Sequence, residues 1–248
     1  MSGHNRWSKI KHAKAASDAK KSKGWTKLLK EITVAAKGGG DPSGNPRLRT
    51  AVDKARASNV PNDTIKRSIQ KGTGELAAET FEDLLYEVYG PGGTAVIVEI
   101  LTDNRNRTAG EIRKLLERHH GKLAAAGSVL YLFHKRGHIV LEKTGLSEDA
   151  LMEAALDAGA EDVRTDGDIF LVVTEPGKMV DVREALEKKN MKPTHSEVGM
   201  YPDNSVRLEG DDAAAMMKLI TNLEDHDDVQ NVYANYDIDD ALLEQLTA

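Results

Sequence analysis

The 248-residue sequence contains no cysteine, so disulfides, thiolate metal sites and cysteine nucleophiles are excluded. Aromatic residues make up only 4% of it. No apolar run approaches the roughly 18 residues of a membrane span, and the N-terminus lacks the apolar core of a signal peptide. A reducing, cytoplasmic location is the expectation from these absences. The phosphate-loop spacings GxxxxGK[ST] and GxGxxG are missing, as are H-E-x-x-H and G-x-S-x-G. The histidines are scattered without ligand spacing, and no acid pair is singled out by an apolar pocket. The expectation is therefore a protein with no catalytic residues, no metal, no cofactor and no small-molecule substrate.

What the sequence does have is a marked division of charge. Residues 1–72 carry 17 Lys and Arg against 5 Asp and Glu, whereas the remaining 176 residues carry 17 against 35. A basic head of net +12 thus precedes an acidic body of net −18. Such asymmetry points to a polyanion-binding module attached to domains that stay off the polyanion or meet other partners. The strongest stretch is Gly3–Lys37, in which nine lysines and Arg6 face only Asp18 and Glu31. Apolar residues from Trp7 to Val34 interleave with the charge, so this stretch can fold and present cations together.

Helical spacing predicts a first basic helix over about 8–22 and a second whose stripe is Trp25, Leu28, Leu29, Ile32 and Ala36, stopped by Gly38-Gly39-Gly40. Asn45-Pro46 reads as an N-cap followed by proline at the first helical position. Leu48, Ala51, Val52 and Ala55 mark a third helix, Asn59-Val60-Pro61 breaks it, and Ile65 and Ile69 mark a fourth, with Gly72 as terminator. From about residue 80 the pattern turns to short β-rich runs and amphipathic helices. Gly90-Pro91-Gly92-Gly93 reads as a turn between two strands, Thr108-x-x-Glu111 as a capping box, and Ser128–Phe133 as a strand.

Residues 134–200 run strand-helix-strand-strand-helix-strand, the ferredoxin-like order. The fold expected is α+β: an N-terminal helical bundle followed by two ferredoxin-like α/β domains, one inserted in the other. The boundaries expected are 1–79 for the basic helical nucleic-acid-binding domain, 80–133 plus 201–238 for a discontinuous ferredoxin-like domain, 134–200 for the inserted one, and 239–248 for an acidic C-terminal tail.

The candidate contacts to nucleic acid are Arg6, Trp7, Lys9, Lys11, His12, Lys14, Lys20, Lys21, Lys23 and Lys27. Lysine and arginine bind phosphate by releasing its counterions. Trp7 and Trp25 could stack on bases, although such tryptophans more often lie in a core. Arg105 and Arg107 are added because Asn104–Thr108 falls where a strand hands over to a helix N-terminus, a place suited either to a phosphate or simply to an asparagine cap with two exposed arginines.

The chain also resembles the YebC family of bacterial regulatory proteins, whose mitochondrial relatives are translational activators of cytochrome c oxidase. The resemblance rests on Gly3-His4, Trp7, Ile10-Lys11-His12, Lys14-Ala15, Asp41-Pro42, Pro61 and Lys71-Gly72-x-Gly74, with Tyr86-Glu87-x-Tyr89-Gly90-Pro91-Gly92-Gly93 and Thr102–Thr108 in the body. Asn5-Arg6 and Lys122-Leu123-Ala124-Ala125 depart from the usual pattern. The resemblance implies a three-domain, non-enzymatic regulator of gene expression. Two partners follow from it: DNA, bound through the basic head of a transcriptional regulator, or ribosomal RNA and the ribosome, in a factor that assists elongation through stalling stretches such as consecutive prolines. The oligomeric state is left open.

Overall fold

In the computed structural model, residues 21–77 and 80–247 are described. The helix expected over about 8–22 lies almost wholly outside them. Helices α1 (Lys21–Ala36), α2 (Pro46–Ala57) and α3 (Asn62–Thr73) form the head. Their core is Ile32, Leu48, Ala51, Val52, Ala55, Val60 and Ile65, with Trp25, Leu28 and Leu29 packed at its edge. Asn45 caps α2 by accepting from Leu48 N–H at 3.1 Å, and its amide donates to the carbonyls of Ala35 and Gly39 at 2.8 Å each. One side chain thus starts a helix and closes the preceding loop onto α1. Gly72 does not end α3. It lies inside the helix, where a Cβ would fall 2.3 Å from the Thr33 carbonyl oxygen. The left-handed cap is Gly74, at φ 85°.

The body follows with β1 (Glu82–Tyr89), β2 (Ala95–Thr102), α4 (Arg105–Arg118), β3 (Lys122–Leu123), β4 (Phe133–Glu142), α5 (Glu148–Asp157), β5 (Asp162–Asp166), β6 (Ile169–Thr174) and α6 (Met179–Lys188). It ends with β7 (His195–Pro202), β8 (Val206–Leu208), α7 (Gly210–Glu224), β9 (Val229–Ala234), β10 (Tyr236–Ile238) and α8 (Asp240–Thr247). The architecture is mixed α+β. None of the described helices is long and apolar enough to cross a membrane.

One sheet has the order β3-β1-β2-β9, antiparallel throughout. Its central hairpin turns through Gly92 and Gly93 at φ 63° and 78°, values that favour glycine. On one face, Val88, Val96, Val98 and Ile100 pack against Ile112 and Leu116 of α4 and against Met216, Leu219 and Leu223 of α7. The second sheet has the order β5-β6-β4-β7, also antiparallel, which is the order of a ferredoxin-like strand-helix-strand-strand-helix-strand unit. Ile139, Leu141, Phe170 and Val172 pack there against α5 and α6. The two sheets share a small cluster, in which Ala95 and Ile97 meet Val129 and Phe133, with Met200 and Tyr233 packed against it.

Several local expectations are corrected. Residues 128–132 are not a strand, because the buried Glu87 carboxylate takes the backbone N–H groups of Gly127, Val129 and Leu130 that a strand would offer to a neighbour. β9 and β10 part at Asn235, whose side chain accepts from Ala95 N–H while its carbonyl accepts from Val206 N–H; β10 then pairs in parallel with β8 as a separate two-stranded sheet. Finally, α4 is capped by Asn104 rather than by Thr108, which is buried and turned inward. The last ten residues, expected as an acidic tail, contain α8, whose Leu243 is buried in the larger core.

Candidate nucleic-acid interface

Most of the candidate contact residues, Arg6, Trp7, Lys9, Lys11, His12, Lys14 and Lys20, lie outside the described residues. Lys21 and Lys23 stand on the first turn of α1. Helix α3 presents Lys66, Arg67 and Lys71 to solvent, and none of the three has an ion-pair partner among the described residues. The exposed cations of α2 are tethered: Arg47 lies 3.6 Å from Asp83 and Lys54 lies 3.5 Å from Glu31. Trp25 is built into the head, where its indole N–H donates to the Ser58 carbonyl at 2.9 Å and its ring packs on the helical core.

The opposite side of α1 faces the body. Lys27 donates to the Glu224 carbonyl, and Lys30 donates to the Asp227 carbonyl at 3.1 Å and to Asp228 Oδ1 at 2.6 Å. Asp228 is 2% exposed and collects more donors on its other oxygen. Arg107 reaches Oδ2 at 2.9 Å, Thr108 Oγ1 at 2.7 Å and Thr102 Oγ1 at 3.1 Å. Burial by itself would raise the carboxyl pKa. The hydrogen bonds from Lys30, Thr108 and Arg107 outweigh it and hold the group well below the usual carboxylate range. Asp228 and Asp103, 2.8 Å away, in turn raise the pKa of the Arg107 guanidinium.

The pair Arg105 and Arg107 is therefore divided. Arg105 stands exposed on the first turn of α4, while Arg107 belongs to an intramolecular ion-pair network joining the head, α4 and the loop that enters β9. The Asn104 side chain accepts from Arg107 N–H at 3.1 Å, which occupies one of the free donors at the helix N-terminus. Sequence reasoning missed Asp228, the residue on which the network converges. Its only trace in the sequence is the acidic run Glu224-Asp225-His226-Asp227-Asp228.

Glu111, His226 and Asp228 offer ligand atoms within 4.8 Å of one another. His226 and Asp228 are already engaged in contacts within the protein. His226 Nδ1 accepts from Asp228 N–H and its Nε2 meets Glu111 at 3.0 Å, while both Asp228 oxygens hold cationic side chains. The cluster is a knot between α4 and the loop that enters β9. A cleft of about 680 Å³ opens beside it, between α1 and α4, with Thr26, Lys30, Arg107, Lys114 and Arg118 in its walls.

The model of the TACO1/YebC N-terminal domain matches residues 5–75, and that of the TACO1/YebC second and third domain matches residues 81–236. The chain belongs to the TACO1/YebC family. A probable transcriptional regulatory protein of Geobacter sulfurreducens is 54% identical over 247 residues, covering 99% of this chain and 100% of the relative. One from Pelotomaculum thermopropionicum is 53% identical over 243 residues, covering 97% of this chain and 100% of the relative. Among solved structures, a conserved hypothetical protein of Aquifex aeolicus superposes with a TM-score of 0.78 at 42% identity, covering 90% of this chain and 93% of that one. The TACO1/YebC relatives named here are regulators by name, and the fold is one already seen in a crystal.

Proposed function

We propose that this TACO1/YebC chain is a non-enzymatic, cytoplasmic regulator of gene expression that docks on nucleic acid through its basic N-terminal segment, residues 1–79, as a DNA-binding transcriptional regulator. The observation that carries this reading is the placement of the head's charge. Lys27 and Lys30 are committed to the body, whereas Lys66, Arg67 and Lys71 are exposed without an ion-pair partner among the described residues. A net +12 over residues 1–72 favours a polyanionic partner, and phosphate backbone is one.

A second reading has its own support. The exposed cations of α3 are phosphate-type donors, and phosphates of ribosomal RNA suit them as well as those of DNA. In that reading the chain is a ribosome-associated factor that helps elongation through stalling stretches such as consecutive prolines.

The test is binding to duplex DNA and to purified ribosomes across a salt series, beside a variant with Lys9, Lys11, Lys14, Lys21 and Lys23 changed to Ala. With about six phosphate contacts to duplex DNA, the log–log slope is near −5 and flattens in the variant. Sequence-preferring DNA binding that survives physiological salt supports the transcriptional reading. Ribosome co-sedimentation lost in the variant, with only salt-labile DNA binding, supports the translational one. Absence of binding to both overturns the docking role of the head.

A further inference from the structure

The two lysines of α1 that reach the body find acceptors within one short stretch. Lys27 donates to the Glu224 carbonyl, and Lys30 donates to the Asp227 carbonyl at 3.1 Å and to Asp228 Oδ1 at 2.6 Å. These acceptors lie where α7 turns into β9, and His226 stands in the middle of that turn. Its side chain is 13% exposed, and both ring nitrogens are engaged. Nδ1 accepts from the Asp228 N–H at 3.1 Å, so it carries no proton. Nε2 lies 3.0 Å from Glu111 Oε2 and donates to that carboxylate the proton of the neutral ring. The turn thus accommodates a neutral imidazole in a single tautomer.

A second proton has only Nδ1 to go to, where it meets the Asp228 N–H. Donor then faces donor beside a residue that is 2% exposed, and a buried N–H without an acceptor is costly. The conflict is relieved by turning that N–H away. Because a peptide unit is planar, the Asp227 carbonyl turns with it and leaves Lys30. The charged groups that face the ring across the α1–α4 cleft are Glu111, Arg107, Lys114 and Arg118 on α4, Asp103 ahead of it, Lys30 on α1, and Asp225, Asp227 and Asp228 in the turn itself. Their effects oppose one another. Asp228 is already paired with Lys30 and Arg107, while Lys114 and Arg118 repel an added positive charge. Glu111, Asp225 and Asp227 attract it, but all three are exposed and screened by solvent. The donor–donor contact is local and unscreened, so proton uptake at Nδ1 favours the opened turn.

We propose that His226 is a proton switch on the contact between head and body: protonation of Nδ1 turns the Asp227–Asp228 peptide, withdraws the Asp227 carbonyl from Lys30 and releases α1 from the turn. The switch is independent of what the head binds. Its parts are a backbone N–H, one ring nitrogen and the carbonyl on the same peptide unit.

The experiment is X-ray scattering of the full chain from about pH 8 to about pH 5, the range in which histidine side chains change charge, with helix content followed by circular dichroism. Wild type is compared with His226→Asn, whose side-chain oxygen accepts from the Asp228 N–H as an Asx turn and takes up no proton. A Lys27→Ala, Lys30→Ala variant, which lacks the lysine contacts at every pH, sets the radius of the released state. On acidification the wild-type radius of gyration is expected to rise to that value at unchanged helix content, while His226→Asn keeps its own. NMR of the wild-type chain is expected to show the His226 ring and the Asp228 amide titrating with one shared midpoint, a readout that needs no variant to fold. Four outcomes overturn the switch: a constant wild-type radius while the ring takes up its proton, a ring that stays neutral throughout, separate midpoints, or a His226→Asn variant that expands as wild type does. A lysine variant no larger than wild type at the alkaline end overturns the contact on which the switch acts, and the switch with it.

Discussion

Asp228 is the residue on which most depends locally, because it is a buried carboxylate serving two cations and two hydroxyl groups. Asp228→Ala leaves Lys30 and Arg107 without their shared partner, a loss on the order of 3 kcal/mol in urea unfolding. Its folded-state pKa lies below that of the unfolded chain. The stabilisation is therefore complete above about pH 4 and disappears as the pH falls through the depressed value. An Asp228→Asn variant, compared with wild type in urea midpoints from pH 7 down to pH 2, is expected to lose stability at neutral pH and to show a flatter acid limb. Glu87 behaves alike for a different reason. Burial would raise its pKa, but the N–H groups of Val129, Gly127, Leu130 and Ser128 lower it on balance. Replacing it with Gln removes the ionised acceptor from the 127–130 loop, at a cost of roughly 1 to 3 kcal/mol by the same assay.

At the scale of the element, Gly72 sets how closely α1 and α3 approach. Gly72→Ala improves helix propensity by about 1 kcal/mol. The new methyl would stand 2.3 Å from the Thr33 carbonyl oxygen and 2.6 Å from the Ala36 methyl. Moving the helices apart costs roughly 1 to 3 kcal/mol in an already packed core. The expected net result is a lower melting temperature, read from helical circular dichroism; a raised one would mean that α1 and α3 shift apart without loss. The boundaries of α2 and α3 also show what was legible. Asn45-Pro46 announces the start of α2 because capping is local chemistry. Gly72 could be read as a terminator because its sequence context, Gly72-Thr73-Gly74, offers two glycines and only the packing against α1 distinguishes them.

At the scale of the whole molecule, the head is held to the body through Lys27 and Lys30 on α1. A Lys27→Ala, Lys30→Ala variant is expected to show a larger radius of gyration by X-ray scattering at unchanged helix content. An unchanged radius would assign the head's position to contacts other than these two lysines. The same variant keeps the exposed Lys66, Arg67 and Lys71 of α3, so it separates the docking of the head on the body from its charge toward a ligand.

The sequence by itself determined the division of charge, the Asn45-Pro46 cap, the Gly90–Gly93 turn, and the strand-helix-strand-strand-helix-strand order of the β4–β7 unit, because each depends on residue type and short spacing. Only the tertiary structure decided which cations are spent internally. Lys27, Lys30 and Arg107 resemble their neighbours in sequence, but acceptors from Glu224 to Asp228, nearly two hundred residues beyond the two lysines, turn them toward the body. It also decided that Glu87 would draw the 127–130 backbone away from strand geometry and that Asn235 would split one strand into two. Hydrogen-bond partners distant in the chain are chosen by packing, and periodicity carries no record of that choice.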